Sequence, residues 1–557
     1  MLCYTRLGVF FLFHYLYNTY VLFIFIFVSG FFAYLAYPPA KLSVAAFFFL
    51  IPLFLFLRCK LGKRETFLGG FAAGTFFSGF ALRWLFFMIP VDWLGLPESM
   101  TVVWLMFFWG SIVCIIGCFW GLFAIFAQKH IQNIHWHSFI IIPSLWVLAE
   151  YLWTLTITLF WNGGGSILGV HWQYGAVADM LAAIPIILPI TRLGGPFFGS
   201  FFVVFINLTL FLALCTIPSI SPNTSKKTVR LLAIALIAII TLLISAYAPF
   251  VFQKESSTPL RVALVQTSIP PSPFGKTLMD STTWEHYHTA IRNAAADKPD
   301  VIVLPETRGF FHKEPLVAPS IASSLGALAE HSLLIIDSGF ASVNGAARLQ
   351  TFYVDAREGP VAVYYKNLLV PIGEHLPTII KLVAAIFPES TAPLNMLDTA
   401  TGREPAKPAP HSVSWNGVSF GTLACSGIFS SILYRNLVRE GANILINSAS
   451  HAVFRQNKQL SAQIEAKGAV QAASLMRPFL QTANGGALFV IAKDGRKIVY
   501  KEPISSGSFS YTSIEISPSY ISTPFKWFGN WIVWASALIY GGYLLSTQKQ
   551  LMRTRES

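Results

Sequence analysis

Charge is what this chain has least of. Only 12% of its 557 residues are Asp, Glu, Lys or Arg, against roughly 25% in soluble domains. Hydrophobic residues make up 54%, and the mean hydropathy is +0.58. That balance excludes an ordinary soluble protein and points to lipid. Acidic residues are scarcer than basic ones, 26 against 39, for a formal charge of +13. The excess forms no basic helix or RNA-binding signature, so it gives no ground for a nucleic-acid partner. Much of it lies in short loops between apolar runs instead. Cysteine is sparse too. Cys3, Cys59, Cys114, Cys118 and Cys215 sit in or beside apolar segments, which leaves Cys425 alone in the polar part of the chain. A disulfide framework is therefore excluded there. Cys114 and Cys118, at helical spacing, lack His or carboxylate neighbours, and His130, His135 and His137 lack carboxylate or Cys. Neither group reads as a metal site, and nothing calls for a cofactor.

The apolar weight is unevenly spread. Residues 1–252 are nearly continuous hydrophobic segments, 253–524 read as a globular domain, and 525–557 hold a last apolar run with a basic tail. A spanning helix needs about 20 apolar residues. Candidate spans are Val9–Ala36, Leu42–Leu57, Thr66–Ile89, Thr101–Ala127, Ser138–Trp161, Pro196–Ile217, Val229–Phe250 and Trp527–Leu545. Lys and Arg in short loops set the orientation. Arg58, Lys60, Lys63 and Arg64 mark one loop as cytoplasmic, and the next, from Val91 to Met100, has no basic residue. The alternation continues to the tail with only Lys41 against it. The expected topology is a multi-pass protein of the bacterial inner membrane with its globular domain in the periplasm. The loop Trp161-Asn-Gly-Gly-Gly-Ser166 either floors a lipid-facing entrance or lies beside an aromatic belt.

Within 253–524, apolar runs alternate with helical patterns, which argues an α/β fold. Most early runs are apolar throughout, as in a sheet covered on its faces. Three ionisable residues fall at the C-terminal ends of such runs: Glu306 after DVIVLP, Lys366 after VAVYY and Cys425 after GVSFGTLA. Reactive groups gather at that end of an α/β sheet. The carboxylate suits a general base, the thiol a nucleophile and the ammonium an oxyanion partner. A helix-like segment from Ile428 follows Cys425, a position expected to lower the thiol pKa. Singly, each residue has a plainer reading: surface carboxylate, solvated lysine, core thiol.

These residues carry a resemblance. The globular half resembles the nitrilase superfamily, and its combination with membrane spans is similar to the bacterial apolipoprotein N-acyltransferases. The matching stretches are Val265-Gln266-Thr-Ser-Ile269-Pro270, Val303-Leu-Pro305-Glu306-Thr307, Tyr365-Lys366-Asn367 through Gly373-Glu374-His-Leu-Pro377, Arg477-Pro478, and Thr482-Ala-Asn484-Gly485. Asp494-Gly495 and Thr523-Pro524 leading into Gly529-Asn530-Trp531 match as well. The resemblance implies a four-layer α-β-β-α sandwich on a membrane domain, with Glu306 as base, Lys366 as oxyanion partner, Cys425 as nucleophile and Glu374 as a supporting carboxylate. It further implies Asn447, Phe454 and Phe274 as substrate-handling positions, a phospholipid acyl donor and a diacylglyceryl apolipoprotein acceptor. A monomer is expected.

The pattern departs at one place. After the cysteine the family usually keeps an aromatic residue and then a glutamate, where this chain has Ser426 and Gly427. A divergent paralogue acylating another amine, or a membrane-bound amidase, is therefore an alternative. A third reading, an inactive lipid- or lipoprotein-binding scaffold, has no use for Glu306, Lys366 and Cys425 together.

Overall fold

The computed structural model describes residues 19–39, 42–59, 61–91, 98–163, 166–216, 226–251, 258–271, 281–307, 318–343, 346–386 and 409–556. The start of the first expected span, from Val9, lies outside them. The apolar part folds into helices α1 (Thr19–Ala36), α2 (Ile51–Leu57), α3 (Lys63–Ala81), α4 (Glu98–Gln132), α5 (Ser138–Phe160), α6 (Gly195–Leu214) and α7 (Lys226–Val251). Among the described residues, five helical stretches are long and apolar enough to cross a membrane: Lys63–Met88, Thr101–Gln132, Ser138–Phe160, Gly195–Leu214 and Lys226–Tyr247. The chain is a membrane protein. Helices α3 and α4 approach closely because glycines line their seam. A Cβ on Gly70 would stand 2.6 Å from the Trp120 carbonyl oxygen, and one on Gly121 2.9 Å from that of Phe67, the small-residue packing that lipid-embedded helices favour.

Two expected spans are corrected. Leu42–Leu57 is a 3-10 turn, Ser43–Phe47, followed by α2, which has seven residues. Pro52 in the first turn of α2 suits a helix start and cannot continue one from before it. Seven residues rise only about 10 Å, too little to cross the hydrocarbon. The last expected span, Trp527–Leu545, is likewise split, because a short helix ends at Phe528 and Gly529 turns the chain at φ +57° before the long helix begins at Trp531.

The α/β part contains strands β1 (Leu260–Thr267), β2 (Val301–Thr307), β3 (Leu334–Val343), β4 (Ala346–Asp355), β5 (Gly359–Tyr365), β6 (Val413–Trp415), β7 (Val418–Ala424), β8 (Ile444–Ser450), β9 (Phe479–Asn484), β10 (Leu488–Ile491), β11 (Lys497–Lys501) and β12 (Phe509–Ile516). Its helices are α8 (Ser281–Ala296), α9 (Ala318–Ala329), α10 (Thr378–Ile386), α11 (Ser431–Arg439) and α12 (Lys458–Leu475), followed by α13 (Pro524–Phe528) and the C-terminal α14 (Trp531–Glu556). The strand order is β5-β4-β3-β2-β1-β9-β8-β7-β6, with β12 on β1 and the β10–β11 pair on β9. β1 meets β9 only at Thr267 and Asn484, so two sheets face each other across that hinge. Val262, Val303 and Ile336 from one sheet interdigitate with Phe420, Ile446 and Leu480 from the other. Helices α8 and α9 cover the outer face of the first sheet. Helices α11 and α12 cover the second, in a core continuous with the membrane half. The result is the expected α-β-β-α sandwich.

Helix α12 is the element that joins the two halves. Gln459, Gln463, Lys467 and Gln471 repeat every four residues and so share one face, and all four are buried. Gln459 donates to the carbonyls of Phe80 and Ala81, and Gln463 accepts from Trp84 Nε1 at 3.0 Å. Lys467 Nζ lies 2.7 Å from Asp179 Oδ2 and 2.6 Å from the Gln173 carbonyl oxygen. Polar groups in such a seam must be paired, and Gln459, Gln463 and Lys467 pair across the two halves, while Gln471 donates to the Ile428 carbonyl within the α/β half at 2.9 Å.

Candidate active site

Three strand ends bring Glu306, Lys366 and Cys425 together. In β2, Pro305 has no N–H for the ladder, and the register with β3 shifts between Val303 and Glu306. That irregularity turns the glutamate at the strand end. Lys366 follows β5 directly and donates its backbone N–H to the Leu349 carbonyl at 2.9 Å. Cys425 follows β7 in the facing sheet with φ +40°, a left-handed conformation that is costly for a residue with a Cβ and recurs at functional turns. The two sheets are tied beside the site by Ser448 Oγ donating to the Leu304 carbonyl at 2.8 Å.

Lys366 Nζ lies 2.8 Å from Glu374 Oε1 and 3.7 Å from Glu306 Oε2, with all three side chains at 3–9% exposure. A buried charge is tolerable only when paired in this way. Burial works against the Lys366 ammonium, but Glu306 and Glu374 outweigh it and its pKa is raised. The Cys425 Sγ donates to the Ser450 carbonyl at 3.5 Å. The residue is partly exposed where it meets a cavity, while the sulfur is closely surrounded by protein. Burial first, and then the Glu306 carboxylate, push the thiol up to about 12, against the pull of Lys366. This corrects the expectation of an acidified thiol. The segment after Cys425 is a 3-10 turn through Phe429, and α11 starts only at Ser431, so no long helix dipole points at the sulfur. A neutral thiol with a carboxylate in the same pocket has a base to hand when a substrate displaces water.

The loop that carries Glu374 is held from the membrane side. Glu374 Oε2 accepts the Val370 N–H at 2.8 Å. The neighbouring His375 Nε2 lies 3.2 Å from the Trp161 carbonyl oxygen, and Thr378 donates its N–H to the Asn162 carbonyl at 2.8 Å. Gly163 pairs with Pro377, and a Cβ on Gly163 would run into the His375 ring. The loop that opens at Trp161 therefore clasps the lysine loop, an outcome that neither expectation for it included; Gly164 and Gly165 lie outside the described residues.

A cavity of about 290 Å³ opens onto Cys425, Glu306 and Glu374. Its far walls come from the membrane half, with Trp84, Leu85, Leu105 and Phe108 among them. Phe454 lines it, edge-on to Trp84 with ring centroids 5.2 Å apart. Asn447 does not. Strand residues alternate faces, and while Ser448 points toward β2, Asn447 is spent in the opposite layer on Gln481, at 2.8 Å, and on the Tyr434 hydroxyl, at 3.4 Å. Phe274 lies outside the described residues. Ser426 Oγ donates to the Leu368 carbonyl at 2.5 Å, and a Cβ on Gly427 would stand 2.5 Å from that of Leu423. The two departures are thus packed into the structure. Trp172 lines the cavity as well, and so do Tyr174 and His451, which were not singled out from the sequence. His451 follows β8 directly, so the strand-end criterion that selects Cys425 selects it too.

Comparison with known proteins agrees with this architecture. Residues 29–209 match the apolipoprotein N-acyltransferase N-terminal domain, and residues 261–495 match the carbon-nitrogen hydrolases. The chain belongs to the apolipoprotein N-acyltransferases, within the nitrilase superfamily. Relatives of that name include one from Gloeobacter violaceus, 23% identical over 83% of this chain and 82% of its own length. Another, from Aquifex aeolicus, is 24% identical over 70% of this chain and 78% of its own. The crystal structure of a carbon-nitrogen hydrolase from Helicobacter pylori G27 aligns at TM-score 0.34 and 13% identity, over 46% of this chain and 89% of its own. Like its relatives, the chain is an acyltransferase by family.

Proposed function

We propose that this protein transfers an acyl chain from a phospholipid, through a thioester on Cys425, to the N-terminal amine of diacylglyceryl-cysteine apolipoproteins. The observation that carries the reading is the shared cavity, in which Cys425 and its carboxylates meet side chains of the membrane half. Glu306 takes the thiol proton as Sγ attacks the ester carbonyl, and the ester C–O bond breaks as the lysophospholipid leaves with that proton. The Lys366 ammonium stabilises the oxyanion, and Glu374 holds it in place. The amine then attacks the thioester carbon, and sulfur departs and recovers a proton. Residues 1–252 form the membrane domain, 253–524 the catalytic domain on the periplasmic side of the inner membrane, and 525–557 the last span with a cytoplasmic tail. The working unit is a monomer.

The test is mass spectrometry of the purified protein after incubation with phospholipid. An acyl-sized adduct on Cys425 is expected in the wild type and none in Cys425→Ala. A folded wild type without adduct overturns the reading. Ser426 and Gly427, where the resemblance implies an aromatic residue and a glutamate, favour a second possibility, an altered acceptor amine or an amidase. Complementation of a strain lacking its own lipoprotein N-acyltransferase separates the two.

A further inference from the structure

Among the polar side chains that line the cavity, His451 is one that the proposed mechanism leaves idle. Ser426 and Ser450 are each engaged with protein, the first through Leu368 and the second through Asn484 Nδ2 at 3.3 Å. Glu374 is held by Lys366 and Val370. His451 is 4% exposed and lines the same cavity as Cys425, directly after Ser450, whose carbonyl accepts from the Cys425 thiol. Its Nδ1 is buried without a hydrogen-bond partner among the described residues. That nitrogen lies against Gly486, where a Cβ would come within contact of it; the glycine leaves room for the ring. Nδ1 is closed off by that backbone, so it is the ring edge at the cavity wall that is open to a ligand.

We propose that His451 receives the acceptor amine, accepting one of its N–H groups while the nitrogen lone pair attacks the thioester carbon. This rests on the acyltransferase reading above. Of the two reactants, the amine is the one that brings N–H donors into the pocket. A neutral imidazole always offers one acceptor nitrogen, and burial, then the Lys366 ammonium, hold this one down at about 4. A second positive charge beside Lys366 is disfavoured, so the site selects the free amine over the ammonium, and only the free amine has the lone pair to react. The C–N bond forms, the C–S bond breaks, and sulfur leaves with the electron pair. The amine proton passes to Glu306, which returns it to the thiolate, so the enzyme is regenerated. His451 ends as it began, neutral.

The experiment separates the half-reactions in the full-length protein. Thioester formation from phospholipid is followed first, and then transfer from isolated thioester enzyme to a synthetic peptide with a diacylglyceryl N-terminal cysteine. His451→Phe keeps a ring and removes the acceptor; His451→Asn restores a carbonyl acceptor. The expectation is thioester formation within threefold of wild type in both, with transfer slowed about 10- to 100-fold in His451→Phe and recovered at least in part in His451→Asn. Equal loss in both half-reactions, or transfer at the wild-type rate in His451→Phe, overturns this inference alone. A wild type that forms no thioester overturns the parent reading and this one with it.

Discussion

Glu374→Gln is the substitution that probes the charge arrangement most directly. Lys366 Nζ is 2.8 Å from Glu374 Oε1 but 3.7 Å from Glu306 Oε2, so Glu374 is what keeps the ammonium from collapsing onto the base. Glutamine has the same shape and can still accept the Val370 N–H, which isolates charge from packing. Replacing a charge-assisted hydrogen bond by a neutral one forfeits roughly 1–2 kcal/mol. That is a fall of about 5- to 30-fold in kcat for acyl transfer, with KM for phospholipid little changed. The thiol responds in the opposite sense. Burial raises the Cys425 pKa most, Glu306 next, and Glu374 adds to both. Removing one negative charge lowers the folded-state pKa, so at pH 8 a larger fraction is thiolate and alkylation by iodoacetamide speeds up. One substitution thus makes the sulfur easier to alkylate and the enzyme slower. A kcat within twofold of wild type, or alkylation that slows, refutes the assignment of Glu374 as the carboxylate that positions Lys366.

Gly427→Ala places a Cβ 2.5 Å from that of Leu423, so it is expected to cost about 1–3 kcal/mol, and Gly427→Glu no less; thermal unfolding in detergent measures it, and full stability of both would show that the turn has room. Lys467→Met leaves Asp179, whose side chain is 4% exposed, as an unpaired buried charge, at a cost of about 3–5 kcal/mol. Adding Asp179→Asn should recover most of that stability, which a double-mutant cycle on the same unfolding assay reads as coupling.

What could be read without coordinates was whatever a local pattern encodes. Lys366 follows an uninterrupted apolar run, Cys425 one broken by Ser419 and Thr422, and Glu306 one broken only by Pro305, so the strand-end criterion found all three. The strand ladder passes from one sheet to the other only at Thr267 and Asn484, yet the residues that must converge lie at ends the runs already mark. Asn447 faces away from the cavity, which this segment reaches only at Ser450 and His451. On a strand, one residue of displacement exchanges the faces, and Ser448, not Asn447, is the neighbour that looks toward β2. The thiol went astray because its acidity depends on what surrounds it in space: a 3-10 turn instead of a helix, burial, and a carboxylate from another strand. Nor could the run Leu42–Leu57 show that Pro52 starts a seven-residue helix instead of sitting inside a span. The Gln459, Gln463, Lys467 and Gln471 stripe is buried by a partner surface that no local pattern encodes.

That seam bears on why catalysis is joined to a membrane domain at all. Exposing a lipid acyl chain to water costs about 0.8 kcal/mol per methylene, on the order of 10 kcal/mol for a chain of common length, which rivals the binding energy a site can offer. A nitrilase-like domain floating above the bilayer would have to meet that cost for every donor it used. Here the same cavity that reaches Cys425 is walled by Trp84, Leu105 and Phe108, so in the proposed reaction a chain would stay against apolar surface while its ester meets the sulfur. The arrangement works only if those walls keep their position relative to the thiol. Gln463 holds Trp84 itself, Lys467 holds the segment that bears Trp172 and Tyr174, and the Trp161–Gly163 clasp holds the loop that bears Glu374. Each contact fixes a membrane-side element to the α/β half, so the cavity walls that come from the two halves are held in place together.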